Sequence, residues 1–291
     1  MSIRLNSYFS GCGLVEIGLE RAGVPVQQSF EIDAACCATQ RRNFKHEVIE
    51  GDVTRKTVAA DKGANAMMFT FPCNRYSSVA DLHGTRTGDD LFLHAFRHAA
   101  LAQPDVFVVE NVPGMRKFPV VMEAMTKLPG YHVSTFCPVR SELWLPQRRD
   151  RLIIFASRRP FAWRPPTSSR RRSLASILEK DPQIEIPSYV TSRLGGKYRD
   201  QPIISDPARG DIAPTCVAHY AKDQSTRLVV DRRFPHGVRP YTVREYARLQ
   251  GVPDSFVFVG TDNQAYKMTG NGVSVPVGEW IGRELKRYFA N

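Results

Sequence analysis

The sequence predicts a doubly wound α/β fold: a mostly parallel sheet with a small, irregular inserted domain. Three observations lead there. Short apolar runs alternate with amphipathic stretches through the first half of the chain, the pattern of strand–helix–strand units. Glycine and acidic residues cluster where those apolar runs end, the side on which open α/β sheets bind ligands. At Ser157 the alternation stops, and residues 158–210 become rich in Pro, Ser, Gly and Arg.

Taken in order, Leu5–Phe9 reads as a strand, followed by the turn Ser10-Gly11-Cys12-Gly13. Val15–Ala22 has helical spacing and stops at Gly23. Val24–Phe30 is a second strand, then Glu31-Ile32-Asp33 and a helix to Phe44. Glu47–Glu50 is a third strand, ending in Gly51-Asp52. Ala66–Phe71 is a fourth, ending in Pro72-Cys73. A helix over Leu91–Ala102 precedes a fifth strand, Asp105–Val109, which delivers Glu110-Asn111-Val112-Pro113. A helix over Pro119–Lys127 and strands over Tyr131–Pro138 and Arg151–Ala156 complete this half. Beyond Thr215, Thr242 stands three residues before Glu245, a capping-box spacing that starts a helix to Gln250. Pro276–Phe289 reads as a final amphipathic helix returning to the first domain. The expected domains are a large one over 1–157 and 234–291 and a small one over 158–233.

The 291 residues carry a net charge of +11, which suits a polyanionic partner. That charge is localised. From Arg158 to Gly210, 11 Lys and Arg face 5 Asp and Glu, a surplus of 6 in 53 residues. Six cysteines show no Cys-x-x-Cys pair, so neither a zinc site nor a disulfide framework is expected. No apolar run approaches the ~20 residues of a membrane span, and no secretory signal is read after Met1. The expectation is a cytoplasmic protein with no metal and no membrane partner.

The turn Gly11-x-Gly13 would let backbone approach a ligand closely. Glu31 follows Gly13 by 18 residues, near the ~20 of an acidic ribose ligand, and Asp52 could address an adenine edge. Bulky Leu14, Val15 and Ile17 replace a full dinucleotide fingerprint. A nucleoside-containing cofactor without phosphates is therefore favoured. Cys73 alone reads as packed core, metal ligand or nucleophile. Beside a carboxyl group such as Glu110, a thiol suits covalent attack on an electron-poor heterocycle.

Eight segments then occur in a telling order: FSGCG (9–13), FEID (30–33), GDV (51–53), FPCNRYS (71–77), ENVPG (110–114), PQRRDR (146–151), RPYTVREYARLQGVPDSF (239–256) and GNGVSVPV (270–277). Together they resemble the DNA (cytosine-5) methyltransferases, over nearly the whole chain except about 158–210. The resemblance implies a Rossmann-like fold that binds S-adenosylmethionine (SAM), and a monomer acting on double-stranded DNA in a prokaryotic or phage setting. It implies that Cys73 attacks C6 of a cytosine turned out of the helix, with Glu110 acting at N3. Arg149 and Arg151 would lie near the target base or its phosphate, and Asn111 would orient the loop at Glu110. Phe9, Gly11, Gly13, Glu31, Ile32, Asp52, Val53, Pro72, Asn271 and Val273 would form the SAM site. Ser77, Arg86, Arg170, Arg171, Arg172, Arg193, Lys197 and Arg199 would contact nucleic acid, with Trp163, Tyr189 and Tyr198 as further candidates. The length of the variable segment suggests a site of about two to five base pairs. Three positions depart from the usual pattern: Asn74 follows the cysteine, Leu14 replaces a second glycine, and Ser274 stands where a proline is common. The same chemistry on tRNA, or an inactive DNA-binding relative, is the alternative reading.

Overall fold

A computed structural model describes residues 2–72, 91–168 and 171–291. Seven strands form one sheet: β1 (Leu5–Tyr8), β2 (Val26–Glu31), β3 (Glu47–Glu50), β4 (Ala66–Phe69), β5 (Val106–Asn111), β6 (His132–Arg140) and β7 (Asp150–Ser157), in the order β3-β2-β1-β4-β5-β7-β6. All neighbouring pairs from β3 to β5 are parallel, while β7 runs antiparallel to both β5 and β6. The expected mostly parallel, doubly wound sheet is present. Its central strands β4 and β5 are buried along their whole length, as the apolar runs AMMF and VFVV require when both faces are covered. Edge strand β3, with sequence EVIE, leaves its two glutamates exposed.

Helices α1 (Leu14–Arg21), α2 (Ala34–Asn43), α3 (Leu91–Ala102) and α4 (Pro119–Thr126) alternate with the strands. Asp33 starts α2 by accepting from the amides of Ala35 and Cys36. The reversal at β7 matters for function. Because β7 is antiparallel, its first residues lie beside the C-terminal end of β5, so Asp150 and Arg151 stand at the end of the sheet where parallel strands present their ligands.

Two compact units divide the chain. The first comprises 1–140, 150–166 and 277–291; the second comprises 141–149 and 167–276. These divisions differ from the expected boundaries at 157/158 and 233/234. Residues 158–166 join the first unit through an aromatic cluster, in which Trp163 stacks on Phe155 at 4.3 Å and on Tyr288 at 5.6 Å. Trp163, expected among the base-reading side chains, is thus a core residue. The second unit extends past 233 because β10 (Val238–Pro240) pairs with β9 (Arg227–Val230), which pairs with β8 (Ile203–Ser205).

That three-stranded sheet, with helices α5 (Ser188–Gly195), α6 (Val243–Leu249) and α7 (Asp262–Asn271), gives the inserted region more order than its composition suggests. A buried core of Leu174, Tyr220, Tyr241, Tyr246 and Tyr266 supports it. The expected capping box of Thr242 and Glu245 is formed, and an unexpected one, Thr261 with Gln264, starts α7. Helix α8 (Val275–Ala290) ends the described chain.

Candidate active site

The loop after β1 is built for close approach. Phe9 has a φ of 59° and Gly13 one of 93°, the left-handed region that costs a side-chain-bearing residue ~1 kcal/mol or more. Gly13 also has no room for a side chain, since a Cβ there would sit 2.4 Å from Phe44 Cε2. Gly11 differs: a Cβ at this position would meet nothing within 4 Å. The loop is held from below by Gln40 of α2, whose Nε2 donates to Ser10 Oγ (2.8 Å) and to the Gly11 carbonyl (2.6 Å). Just past the end of β4, Thr70 Oγ1 donates to the Phe9 carbonyl at 2.9 Å.

Glu31, at the end of β2, accepts from the Gly11 amide through Oε2 at 2.7 Å and from Ile32 and Asp33 through Oε1. A carboxylate therefore already occupies the loop amide that a pyrophosphate would need. Ile32, beside it, is 66% exposed, a large apolar surface that the flat face of a nucleobase would cover. Asp52, after β3, accepts from the Thr54 amide at 2.9 Å. Hydrogen bonding by Thr54 holds its carboxyl below the ordinary value. Val53 is buried and Pro72 exposed. Residues 9–13 contain no basic side chain. The donor set, the open face at Gly11 and the uncovered Ile32 fit a nucleoside with no phosphate.

Two strands away, Glu110 and Arg151 form an ion pair of 2.7 Å between Oε1 and Nε, both side chains about 10% exposed. Glu110 lies opposite Ile153 in the β5–β7 register. Arg151, two residues before Ile153, is on the same face and reaches it diagonally. Arg151 also donates from Nη1 to the Asp150 carbonyl at 2.7 Å. Next in sequence, Asn111 donates from Nδ2 to the Phe71 carbonyl at 3.1 Å and accepts from the Val112 amide. The end of β5 thereby grips the chain two residues ahead of Cys73. Cys73 itself, Ser77, Arg86 and Arg170 lie outside the described residues.

Within the second unit, Arg149 is 1% exposed. Its guanidinium donates to three backbone carbonyls, those of Cys216 (2.9 Å), Gly270 (3.1 Å) and Gly272 (2.7 Å). Gln147 bridges to the Leu249 carbonyl and the Gln250 side chain while accepting from the Cys216 amide. Ser274 donates to Gln250 Oε1 at 2.7 Å and meets Ser141 Oγ at 2.8 Å. A proline at 274 could make neither contact, so this departure from the usual pattern has a local use.

The profile of the C-5 cytosine-specific DNA methylases matches residues 3–192 and 188–287. The chain belongs to this family. It is an enzyme of the DNA cytosine-C5 methyltransferase class. The Type II methyltransferase M.NgoBI of Neisseria gonorrhoeae is 31% identical over 289 residues, covering 92% of this chain and 88% of that protein. M.Eco47II of Escherichia coli is 28% identical over 323 residues, covering 95% and 77%. Among solved structures, the Entamoeba histolytica methyltransferase EhMeth superposes with a TM-score of 0.81 at 18% identity, covering 99% of each chain, which shows a shared fold.

In this methyltransferase the predicted residues fall into three groups. Phe9, Gly11, Gly13, Glu31, Ile32, Asp52, Val53, Pro72, Glu110 and Arg151 all belong to the first unit, at the ends of its strands. Asn271, exposed at the end of α7, and buried Val273 belong to the second unit, as does Arg149. Arg171, Arg172, Lys197 and Arg199 are exposed and Arg193 half-buried, with Arg193 Nη1 paired to Asp223 at 2.9 Å. Arg149 was expected near the target base or its phosphate. The structure gives its guanidinium to backbone carbonyls instead. Gln40 and Thr70, which shape the glycine loop, carry no sequence signal beyond their polarity inside apolar-flanked segments.

Proposed function

We propose that the enzyme transfers a methyl group from SAM to C5 of cytosine in double-stranded DNA, through a covalent bond between Cys73 and C6. C6 is unreachable inside a duplex, so the target base is turned out of the helix first. The observation that supports this reading is the end of β5. There Asn111 holds the Phe71 carbonyl and Glu110 is held by Arg151, so nucleophile segment and carboxyl group hang on one strand end.

Phe9, Gly11, Gly13, Glu31, Ile32, Asp52, Val53 and Pro72 hold SAM in this reading, with Glu31 on the ribose hydroxyls and Asp52 at the adenine. SAM, when bound, supplies the electrophilic methyl group. The chain's own residues do the rest. Cys73 as thiolate forms the S–C6 bond, and Glu110 acts at N3 so that the ring accepts the electron pair. C5 then becomes nucleophilic and takes the methyl group. Loss of the C5 proton and breaking of the S–C6 bond return the thiolate. Arg151 positions Glu110 and lies toward the base, while Arg149 acts through the loop it holds.

Target recognition falls to the part of 158–233 that lies in the second unit, with Arg170, Arg171, Arg172, Arg193, Lys197 and Arg199 on phosphates or base edges, and Ser77 and Arg86 on the DNA from the first. Phosphate contacts position and base-edge contacts specify. The enzyme acts as a monomer in a prokaryotic cytoplasm, host- or phage-encoded.

The test is incubation of the purified protein with methyl-labelled SAM and unmethylated DNA or bulk tRNA, with Cys73→Ala as control. Label recovered as 5-methylcytosine in DNA, lost in the alanine variant, is the expected outcome. Label in tRNA alone would change the substrate class, and label in neither would remove the proposed activity.

A further inference from the structure

Beneath the proposed nucleoside site lies a buried charged cluster that the methyl-transfer reaction does not use. Asp61, 2% exposed, is its hub. Its Oδ1 accepts from Tyr8 Oη at 2.6 Å and from Lys56 Nζ, and its Oδ2 meets His98 Nδ1 at 3.0 Å. Its backbone carbonyl accepts from Asn6 Nδ2 at 2.9 Å. His98 Nε2 in turn lies 3.1 Å from Arg97 Nη2. A guanidinium only donates, so this contact suits an accepting Nε2, with Nδ1 facing the Asp61 carboxyl group. Arg97 Nη2 also reaches the carbonyls of Val53 (3.2 Å) and Lys56 (2.6 Å).

These contacts join the two loops that hold the nucleoside. Tyr8 is the last residue of β1 and immediately precedes Phe9. Val53 and Lys56 bracket the 3₁₀ turn Val53–Arg55 that Asp52 caps. Lys56 Nζ lies 4.1 Å from the centre of the Phe30 ring, one residue before Glu31. Burial lowers the Lys56 ammonium's affinity for its proton, an expense the fold offsets by pairing it with Asp61 and seating it over the Phe30 and Tyr8 rings. A buried charge group of this kind is costly without a complete set of partners, and here Tyr8 adjoins the Phe9–Gly13 loop while Arg97 reaches the carbonyl of Val53 beside Asp52.

We infer that Arg97, His98 and Asp61 are positioning residues for the cofactor's adenosine, setting the spacing between the Phe9–Gly13 loop and the Asp52 turn. This rests on the SAM site proposed above. Arg97 is the member to test, because its two carbonyl contacts close the Asp52 turn and its removal leaves the Asp61 pairings in place.

The experiment is calorimetric titration of wild type and Arg97→Gln with S-adenosylhomocysteine and with its inosine analogue, together with steady-state kinetics on DNA. Loss of charge-assisted hydrogen bonds to the turn should weaken S-adenosylhomocysteine binding by about tenfold, with affinity for the inosine analogue changing less. The KM for SAM should rise in parallel, while kcat at saturating SAM and the KM for DNA stay within about twofold. A residue that only stabilised the fold would lower the melting temperature and leave the adenosine/inosine ratio unchanged. Trp163→Phe, in the aromatic cluster, supplies that comparison. Arg97→Lys keeps the charge and one donor, should fall between the two, and serves if the glutamine variant does not fold. A wild type that binds neither compound overturns the SAM site and this inference together. A wild type that binds, with an unchanged ratio in both Arg97 variants, overturns this inference alone.

Discussion

Arg149 and Arg151 stand two residues apart in the run Gln147-Arg148-Arg149-Asp150-Arg151, and each belongs to a different compact unit. Arg151 meets a carboxylate at a strand end. Arg149 meets three peptide carbonyls in a core. The second unit treats its other buried charges in the same way: Arg239, fully buried, holds Glu245 through two bonds of 2.7 Å and Asp231 at 2.8 Å. The first unit is less thorough. Glu16 is fully buried in α1, where neither carboxyl oxygen makes a well-formed hydrogen bond among the described residues, and the Ser7 hydroxyl is the neighbouring side chain that favours its charge. Exposure and pairing, not residue type, thus separate an arginine available for chemistry from one that holds a fold.

Glu110 is where this contrast is most exposed to test. Glu110→Gln should lower kcat by about 10²–10⁴-fold while the melting temperature moves by only a few degrees. A matching loss of stability would mean that the Glu110–Arg151 pair is chiefly structural. Arg149→Met should do the reverse, costing about 3–4 kcal/mol of stability through three carbonyls left without their donor, measured by urea denaturation. If it instead abolished turnover in a fully stable protein, the contrast between the two arginines would fail.

Glu16 probes the contrast from the other side. Burial pushes its carboxyl up from 4.5 to about 7. A folded-state value above the unfolded one means that the native protein holds this proton more tightly. Stability from this group therefore declines as pH rises from about 4.5 to about 7 and is level above that. Glu16→Gln should be neutral at the acid end and stabilising by up to about 3 kcal/mol above pH 7, read from melts across that range. The smallest effect is expected at Gly11→Ala. With space for the methyl group but a φ of 57°, it should cost about 1 kcal/mol, and far less than Gly13→Ala, whose Cβ would strike Phe44.

Much of the first unit was legible in the sequence, because β4, most of β5 and the middle of β7 are apolar runs and short strands alternate with helices. The Leu91–Ala102 helix and the Thr242 capping box came out as expected. The second unit's sheet was not legible: β8 is three residues long and β9 four, too short for a period, and their pairing is set by tertiary contacts. Helix α7 had a readable signal in Thr261-x-x-Gln264, but its polar first turn hid it. The site residues of the first unit could be found because glycine, acid and cysteine gathered at strand ends serve few purposes besides binding and chemistry. The burial of Arg149 could not be seen, since nothing in an arginine's own chemistry says that its partners are carbonyls 67 to 123 residues away.

Helix α8 packs on α1 through two glycines: a Cβ at Gly278 would lie 2.6 Å from the Val15 carbonyl oxygen, and one at Gly282 2.6 Å from Ala22 Cβ. Those glycines follow the entire second unit in the chain. On the ribosome, then, the groove of α1 stays bare while residues 167–276 are made, and at ~5–20 residues per second that wait lasts from several seconds to about twenty. The apolar seam that α8 will cover is open to chaperones for that interval, so the first unit can close only once α8 has been made.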